Sequence, residues 1–121
     1  MRIFKTPTFT RDQTGQGVAD GDLKAAVAEI AAGLIDAHLG AELVKKRIAR
    51  AGGGKSGGYR TILAFRQAEK VFFLHLFAKN EKATVSKKEL AVLKGLAKGY
   101  MALTAAQLDE AVVKQALLEV M

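Results

Sequence analysis

Residues 44–82 read VKKRIARAGGGKSGGYRTILAFRQAEKVFFLHLFAKNEK, and the alternation within this stretch decides the fold. Leu43 to Ala49 alternates as a strand, with Val44, Lys46 and Ile48 on one side and Lys45, Arg47 and Ala49 on the other. Residues 50–58 then carry five glycines, a loop whose backbone can approach a ligand closely. Tyr59–Arg66 and Val71–Ala78, rich in β-branched and aromatic residues, predict a hairpin about Gln67-Ala68-Glu69-Lys70. An even turn centred between Ala68 and Glu69 sets Arg60 opposite Phe77, Ile62 opposite His75 and Arg66 opposite Val71. Tyr59, Leu63 and Phe65 then share an apolar core face with Phe72, Leu74 and Leu76. The opposite face mixes Arg60, His75 and Lys79 with Ile62, Phe73 and Phe77, a surface suited to a cleft with a cationic floor.

Charge singles out the same stretch. Between Lys45 and Lys82 there are ten Lys/Arg against two acidic residues, Glu69 and Glu81, a net +8 in a chain whose total is +7. Cations gathered beside a glycine loop predict a polyanion partner, because phosphate binding releases counterions. Lys45, Lys46, Arg47 and Arg50 are the candidate RNA-binding cations. The 121 residues, half of them hydrophobic, are enough for one domain with a core and too few for two.

Working outward, Arg2–Lys5 reads as a first strand. Thr6 caps and Pro7 opens a short helix through about Gln13, with Phe9 inward and Gly15 and Gly17 at its end. Leu23, Val27, Ile30 and Leu34 set a second helix from Asp20 or Asp22, stopped at Gly40. Ser86-Lys-Lys-Glu89 and Thr104-Ala-Ala-Gln107 are capping boxes. The first opens a helix on Leu90, Leu93, Leu96, Ala97 and Tyr100. The second opens a last helix over 104–121 on Leu108, Ala111, Val112, Gln115 and Leu118, either a core element or a detachable cover. The expected order is βααβββαα in one α+β domain spanning 1–121, a mostly antiparallel sheet packed by N-terminal and C-terminal helices.

Absences narrow the chemistry. No cysteine is present, and His38 and His75 lie far apart in sequence, so thiolate, histidine-rich and clustered carboxylate metal sites have no support; neither metal nor cofactor is expected. No apolar run of membrane-spanning length occurs, which implies a soluble cytoplasmic protein with no membrane partner. Gly52-Gly53-Gly54-Lys55-Ser56 suggests a phosphate loop, but Ala49 stands where that motif needs glycine and a strand follows where it needs a helix. The loop amides and Lys55 still suit an anion. Asp109 and Glu110 are adjacent and point apart on a helix, and no Ser-His-Asp arrangement is legible. What remains is a cluster of cations without a conventional acid and base. RNA cleavage suits such a cluster, because the 2′-hydroxyl of the substrate is the nucleophile and the protein must mainly bind the phosphate and stabilise its added charge. Arg60 can grip a phosphate through two parallel bonds, and Lys55, Lys79 or Lys82, crowded by cations, can move a proton.

KKRIARAGGGKSGGYR followed by VFFLHLFAKNEKATVSKKEL resembles the RelE/HigB-like toxins of type II toxin–antitoxin systems, in the HigB-type branch where GKSGGYR and AKNEK segments recur. The resemblance is strongest from Val44 to about Leu96. It implies a metal-independent endoribonuclease that cuts mRNA in the ribosomal A site and is neutralised by an antitoxin, in that branch usually a helix-turn-helix protein of HigA type. By motif position it implies Lys55, Arg60, Lys79 and Lys82 as phosphate-binding or catalytic residues, and Tyr59 as an RNA-binding one, although strand parity puts Tyr59 on the core face. Two other readings of the same cations are a non-catalytic module that binds RNA or an acidic protein, and a ParE-type toxin that blocks gyrase.

Overall fold

The computed structural model describes residues 1–48, 58–78 and 85–121. In chain order the elements are β1 (Arg2–Lys5), α1 (Pro7–Gln16), α2 (Asp20–Ala31), β2 (Ala37–Gly40), β3 (Leu43–Ile48), β4 (Tyr59–Arg66), β5 (Lys70–Ala78), α3 (Lys87–Met101), α4 (Ala105–Val113) and β6 (Leu118–Val120). The strands form one sheet in the order β2-β3-β4-β5-β1-β6, in which only β1 and β5 run parallel. The α+β reading with a mostly antiparallel sheet therefore holds. Among the described residues no helix is long and apolar enough to cross a membrane.

Helices cover both faces of the sheet. On one side Phe9, Leu23, Val27 and Ile30 of α1 and α2 pack on Val44, Ile48, Tyr59, Leu63 and Phe73. On the other, Leu93, Ala97 and Met101 of α3 and Leu108 of α4 pack on Phe4, Leu43, Ile62, Ala64, Phe72 and Phe77. A column of stacked rings, Phe4 to Phe72 and Phe72 to Tyr100 at 5.2 Å each, ties β1 and β5 to α3. Burial within this column pushes the Tyr100 hydroxyl above its ordinary pKa.

The helix starts follow their expected caps. Thr6, Ser86 and Thr104 hydroxyls accept from the amides of Phe9, Glu89 and Gln107, and Pro7 opens α1. The stops differ. α2 ends at Ala31 rather than running toward Gly40, because Gly33 takes φ +95° and Leu34 N–H returns to Glu29 O at 2.9 Å. Leu34, expected on the core face, is exposed, and residues 37–40 form the unexpected strand β2. The last helix ends at Val113, where Gln115 adopts φ +61° and Ala116 N–H reaches back to Ala111 O at 2.8 Å. The chain then forms β6 antiparallel to β1, correcting the expectation of a helix through 121.

The hairpin departs from its expected register as well. Its turn has three residues, Gln67–Glu69, with Ala68 at φ +62°, so Arg66 pairs with Lys70 and not with Val71. Leu63 accordingly pairs with Phe73, while Ile62 pairs with His75 and Arg60 with Phe77 as expected; Leu74 is the extra residue of a β-bulge. Phe73 therefore belongs to the α1–α2 face, and Phe72 and Leu74 to the α3 face, reversing the expected sides of all three. The mixed face is also no open cleft along its length, since α3 and α4 cover most of it.

Two polar clusters hold the edge strand and the helix layer in place. Arg2 donates two bonds of 2.9 Å to the Glu119 carboxylate, lies 2.9 Å from Asp109 and sits over the Phe4 ring, so β6 and α4 are pinned to β1. Lys5, nearly buried, donates to Gln13 and Asp20 and joins β1 to α1 and α2. Burial raises the Asp20 pKa, but the bonds from Gln13 and Lys5 outweigh it and hold the carboxyl below its ordinary value. The bonds from Arg2 likewise hold Glu119 below its ordinary 4.5. A depressed carboxylate contributes stability above its unfolded pKa and loses it as pH falls through the folded one. Glu119→Gln should then cost about 1 kcal/mol at neutral pH, and its urea midpoint should converge with that of the parent as pH falls below 4.5. A gap that stays constant across this range would show that the clasp is not electrostatic.

Candidate nucleic-acid interface

Three strand ends meet at one end of the sheet. Ile48, the last residue of β3, pairs with Tyr59, the first of β4, and Tyr59 pairs with Ala78, the last of β5. The two segments that carry Arg50, Lys55, Lys79 and Lys82 begin or end at these paired residues. Those four candidate residues lie outside the described residues.

On the α3 side, the last cross-strand row before this end is Arg47–Arg60–Phe77, and the row before it is Lys45–Ile62–His75. Lys45, Arg47 and Arg60 are thus brought together on one face, with the His75 and Phe77 rings 5.2 Å apart beside them. The bulge at Leu74 puts His75 and Phe77 there. An unbroken three-residue-turn register would have turned both toward α1 and α2. Thr61, fully buried, donates from its hydroxyl to His75 O at 2.8 Å and fixes the backbone at that point.

Two like charges directly opposed across strands repel, and Asp36 offsets this for one of them. Its carboxylate accepts from the Arg47 amide at 2.6 Å and lies 3.4 Å from the Arg47 guanidinium. Arg60, half-buried, forms no ion pair among the described residues, and it is the uncompensated cation of the row.

Lys46 and Tyr59 are not part of this face. Lys46 is 4% exposed, on the opposite side of β3, with its ammonium 2.7 Å from Glu29 of α2. Tyr59 is buried on the same side and donates its hydroxyl to Gln16 O at 3.1 Å, as its strand parity indicated. Sequence reasoning passed over Asp36 and Thr61. Neither belongs to a motif, and both act through contacts that only the paired sheet creates.

Fold and site define a small α+β domain that presents arginine and lysine at one end of its central sheet. A family model described as the RelE toxin of the RelE/RelB toxin–antitoxin system matches residues 1–120, and the chain belongs to this family. It is thereby a toxin of a toxin–antitoxin system, with an antitoxin as its partner. No curated protein matches the chain.

The two sides of β3 separate by substitution. Lys46→Ala leaves Glu29 without its buried cation and should cost about 1–3 kcal/mol of stability while sparing affinity for a single-stranded RNA. Lys45→Ala and Arg47→Ala should do the reverse. Chemical denaturation and filter binding on the three variants decide this; RNA affinity lost with Lys46 would contradict the assignment of faces.

Proposed function

We propose that this toxin is a ribosome-dependent mRNA endonuclease of the HigB-type branch. The observation that carries this reading is Arg60, a guanidinium with no ion pair among the described residues, in the last row of the α3 side of the sheet, next to the paired strand ends from which the segments bearing Lys55, Lys79 and Lys82 depart. The chain places Lys79 directly after Ala78, and consecutive Cα atoms are about 3.8 Å apart, which favours its acting beside Arg60.

In the proposed reaction one of Lys55, Lys79 and Lys82, acting as base, takes the proton of the substrate 2′-hydroxyl, whose oxygen attacks the adjacent phosphorus. The bond to the 5′-oxygen breaks, leaving a 2′,3′-cyclic phosphate and a 5′-hydroxyl. Arg60 holds the two non-bridging oxygens, whose charge grows in the pentavalent transition state, through parallel hydrogen bonds. A second of these lysines, protonated, gives its proton to the leaving 5′-oxygen, and the third supplies further positive charge. Lys45, Arg47 and Arg50 would hold flanking phosphates of the mRNA in the ribosomal A site. The antitoxin of this reading is a helix-turn-helix protein of HigA type.

Mapping mRNA 5′ ends after controlled expression in a bacterial host tests the proposal. New ends within translated codons should appear with the parent chain and fall by about 100-fold or more with Arg60→Ala, while ribosome association changes far less. Growth arrest with intact mRNA would replace the nuclease with a gyrase-type target. If four phosphate contacts carry binding, the logarithmic salt slope for a single-stranded RNA should be about −3, and a flat response would remove RNA as the ligand.

A further inference from the structure

The sheet face that carries Arg60 borders a cavity. Arg60 lies opposite Phe77 and Ile62 opposite His75, so Arg60 and His75 are diagonal neighbours across β4 and β5, about 7–8 Å apart. Beside His75, between β5 and the first two turns of α3, a mainly apolar cavity of about 290 Å³ is lined by His75, Lys88, Glu89, Val92 and Leu93. Ligand pockets run from about 300 to 1,000 Å³, so this one has room for a single ring system. The Phe77 ring supports the imidazole, with centroids 5.2 Å apart, and the bond from Thr61 to His75 O holds the strand. One wall of the cavity is therefore a fixed aromatic ring, and the exposed Val92 and the buried Leu93 supply apolar walls.

Charge differs between the cavity and the row beside it. At the rim Lys88 and Glu89 carry opposite charges, and the Glu89 carboxylate accepts from the Ser86 amide. On the neighbouring rows Lys45, Arg47 and Arg60 are three cations against one acid among the described residues, Asp36. A ligand that spans both places has its negative charge over Arg60 and a flat, uncharged part beside His75. A nucleotide of a single strand has this build, since its sugar joins an anionic phosphate to a base with apolar faces, and unstacked bases lie on aromatic side chains, histidine included. An aliphatic side chain of a protein would fill the cavity but brings no charge to the row.

We propose that the cavity beside His75 is a nucleobase pocket. One base of the bound RNA strand, turned out from its neighbours, lies on the His75 ring between Val92 and Leu93 while its phosphate is held by Arg60. Stacking is tolerant of base identity, so the pocket sets the register of the strand, which phosphate reaches Arg60, more than it reads sequence. The inference rests on RNA being the ligand in the proposed reaction and not on its cleavage.

The test uses the full chain and two strands of equal charge: hexaadenylate with 2′-O-methyl groups, which block attack on phosphorus, and the same strand without its bases. Filter binding should show the parent chain holding hexaadenylate about 10-fold more tightly than the abasic strand. His75→Leu, which keeps an apolar side chain and removes the ring, should erase that preference, and His75→Phe should retain it. The imidazole NMR signals give a reading that needs no variant, because His38 and His75 are the only histidines. Hexaadenylate should move the signals of His75 upfield and leave those of His38, on the edge strand β2, in place. Equal affinity of the parent for both strands, a preference kept by His75→Leu, or unmoved His75 signals would overturn the pocket and leave the cationic row as an RNA site. A parent chain that binds neither strand would overturn the pocket and the RNA ligand together. The expected binding by a chain that leaves cellular mRNA intact would uphold the pocket and remove only the nuclease.

Discussion

The β-bulge at Leu74 is the constraint on which the site depends. A three-residue turn and an unbroken ladder would carry His75 and Phe77 to the α1–α2 side, into the places that Leu76 and Ala78 fill opposite Thr61 and Tyr59. The extra residue returns the end of β5 to the other parity. It keeps Leu74 in the core under α3 and aligns Arg47, Arg60 and Phe77 in one row. The bond from the buried Thr61 hydroxyl to His75 O holds the backbone there. Sheet geometry thus selects which side chains reach this end of the sheet.

Charge is arranged in two ways around this frame. Lys5, Lys46 and Arg2 are spent on structure, each bound to a carboxylate that joins a strand to a helix or an edge strand to its neighbour. Arg60 and the lysines of α3 have no such partner among the described residues. A net charge of +7 is a weak guide to function, because some of the most basic-looking positions, such as Lys46, are internal ion pairs. The informative quantity is the charge left over after pairing.

Much of the fold was legible because its starts are chemical. Thr6-Pro7, Ser86 with Glu89 and Thr104 with Gln107 each satisfy orphan amides by side chains that can be recognised in the sequence. Stops and turns were harder. Ala68, Ala41, Glu42 and Gln115 take left-handed backbone conformations usually given to glycine or asparagine, so the hairpin turn, the β2–β3 connection and the end of α4 left no signal. Gly33 did offer one, but the apolar spacing of Leu34 competed with it. The pairing of Arg60 with Phe77 and of Ile62 with His75 was read correctly through compensating differences, a shorter turn and a later bulge. Of the site itself, strand alternation put Lys45 with Arg47 on one side of β3 and Arg60 on the mixed face of the hairpin, but that these are one face follows only from the β3–β4 pairing; the tether from Asp36 depends on a strand that periodicity concealed.

The most direct test of this account is the register of the β4–β5 hairpin in solution. Cross-strand proton contacts by NMR on the labelled chain should link Leu63 to Phe73 and also Ile62 to His75 and Arg60 to Phe77, with Leu74 unpaired between them. A single uninterrupted register along the hairpin would contradict it, since His75 and Phe77 could not then share a face with Arg60 while Phe73 packs on Phe9.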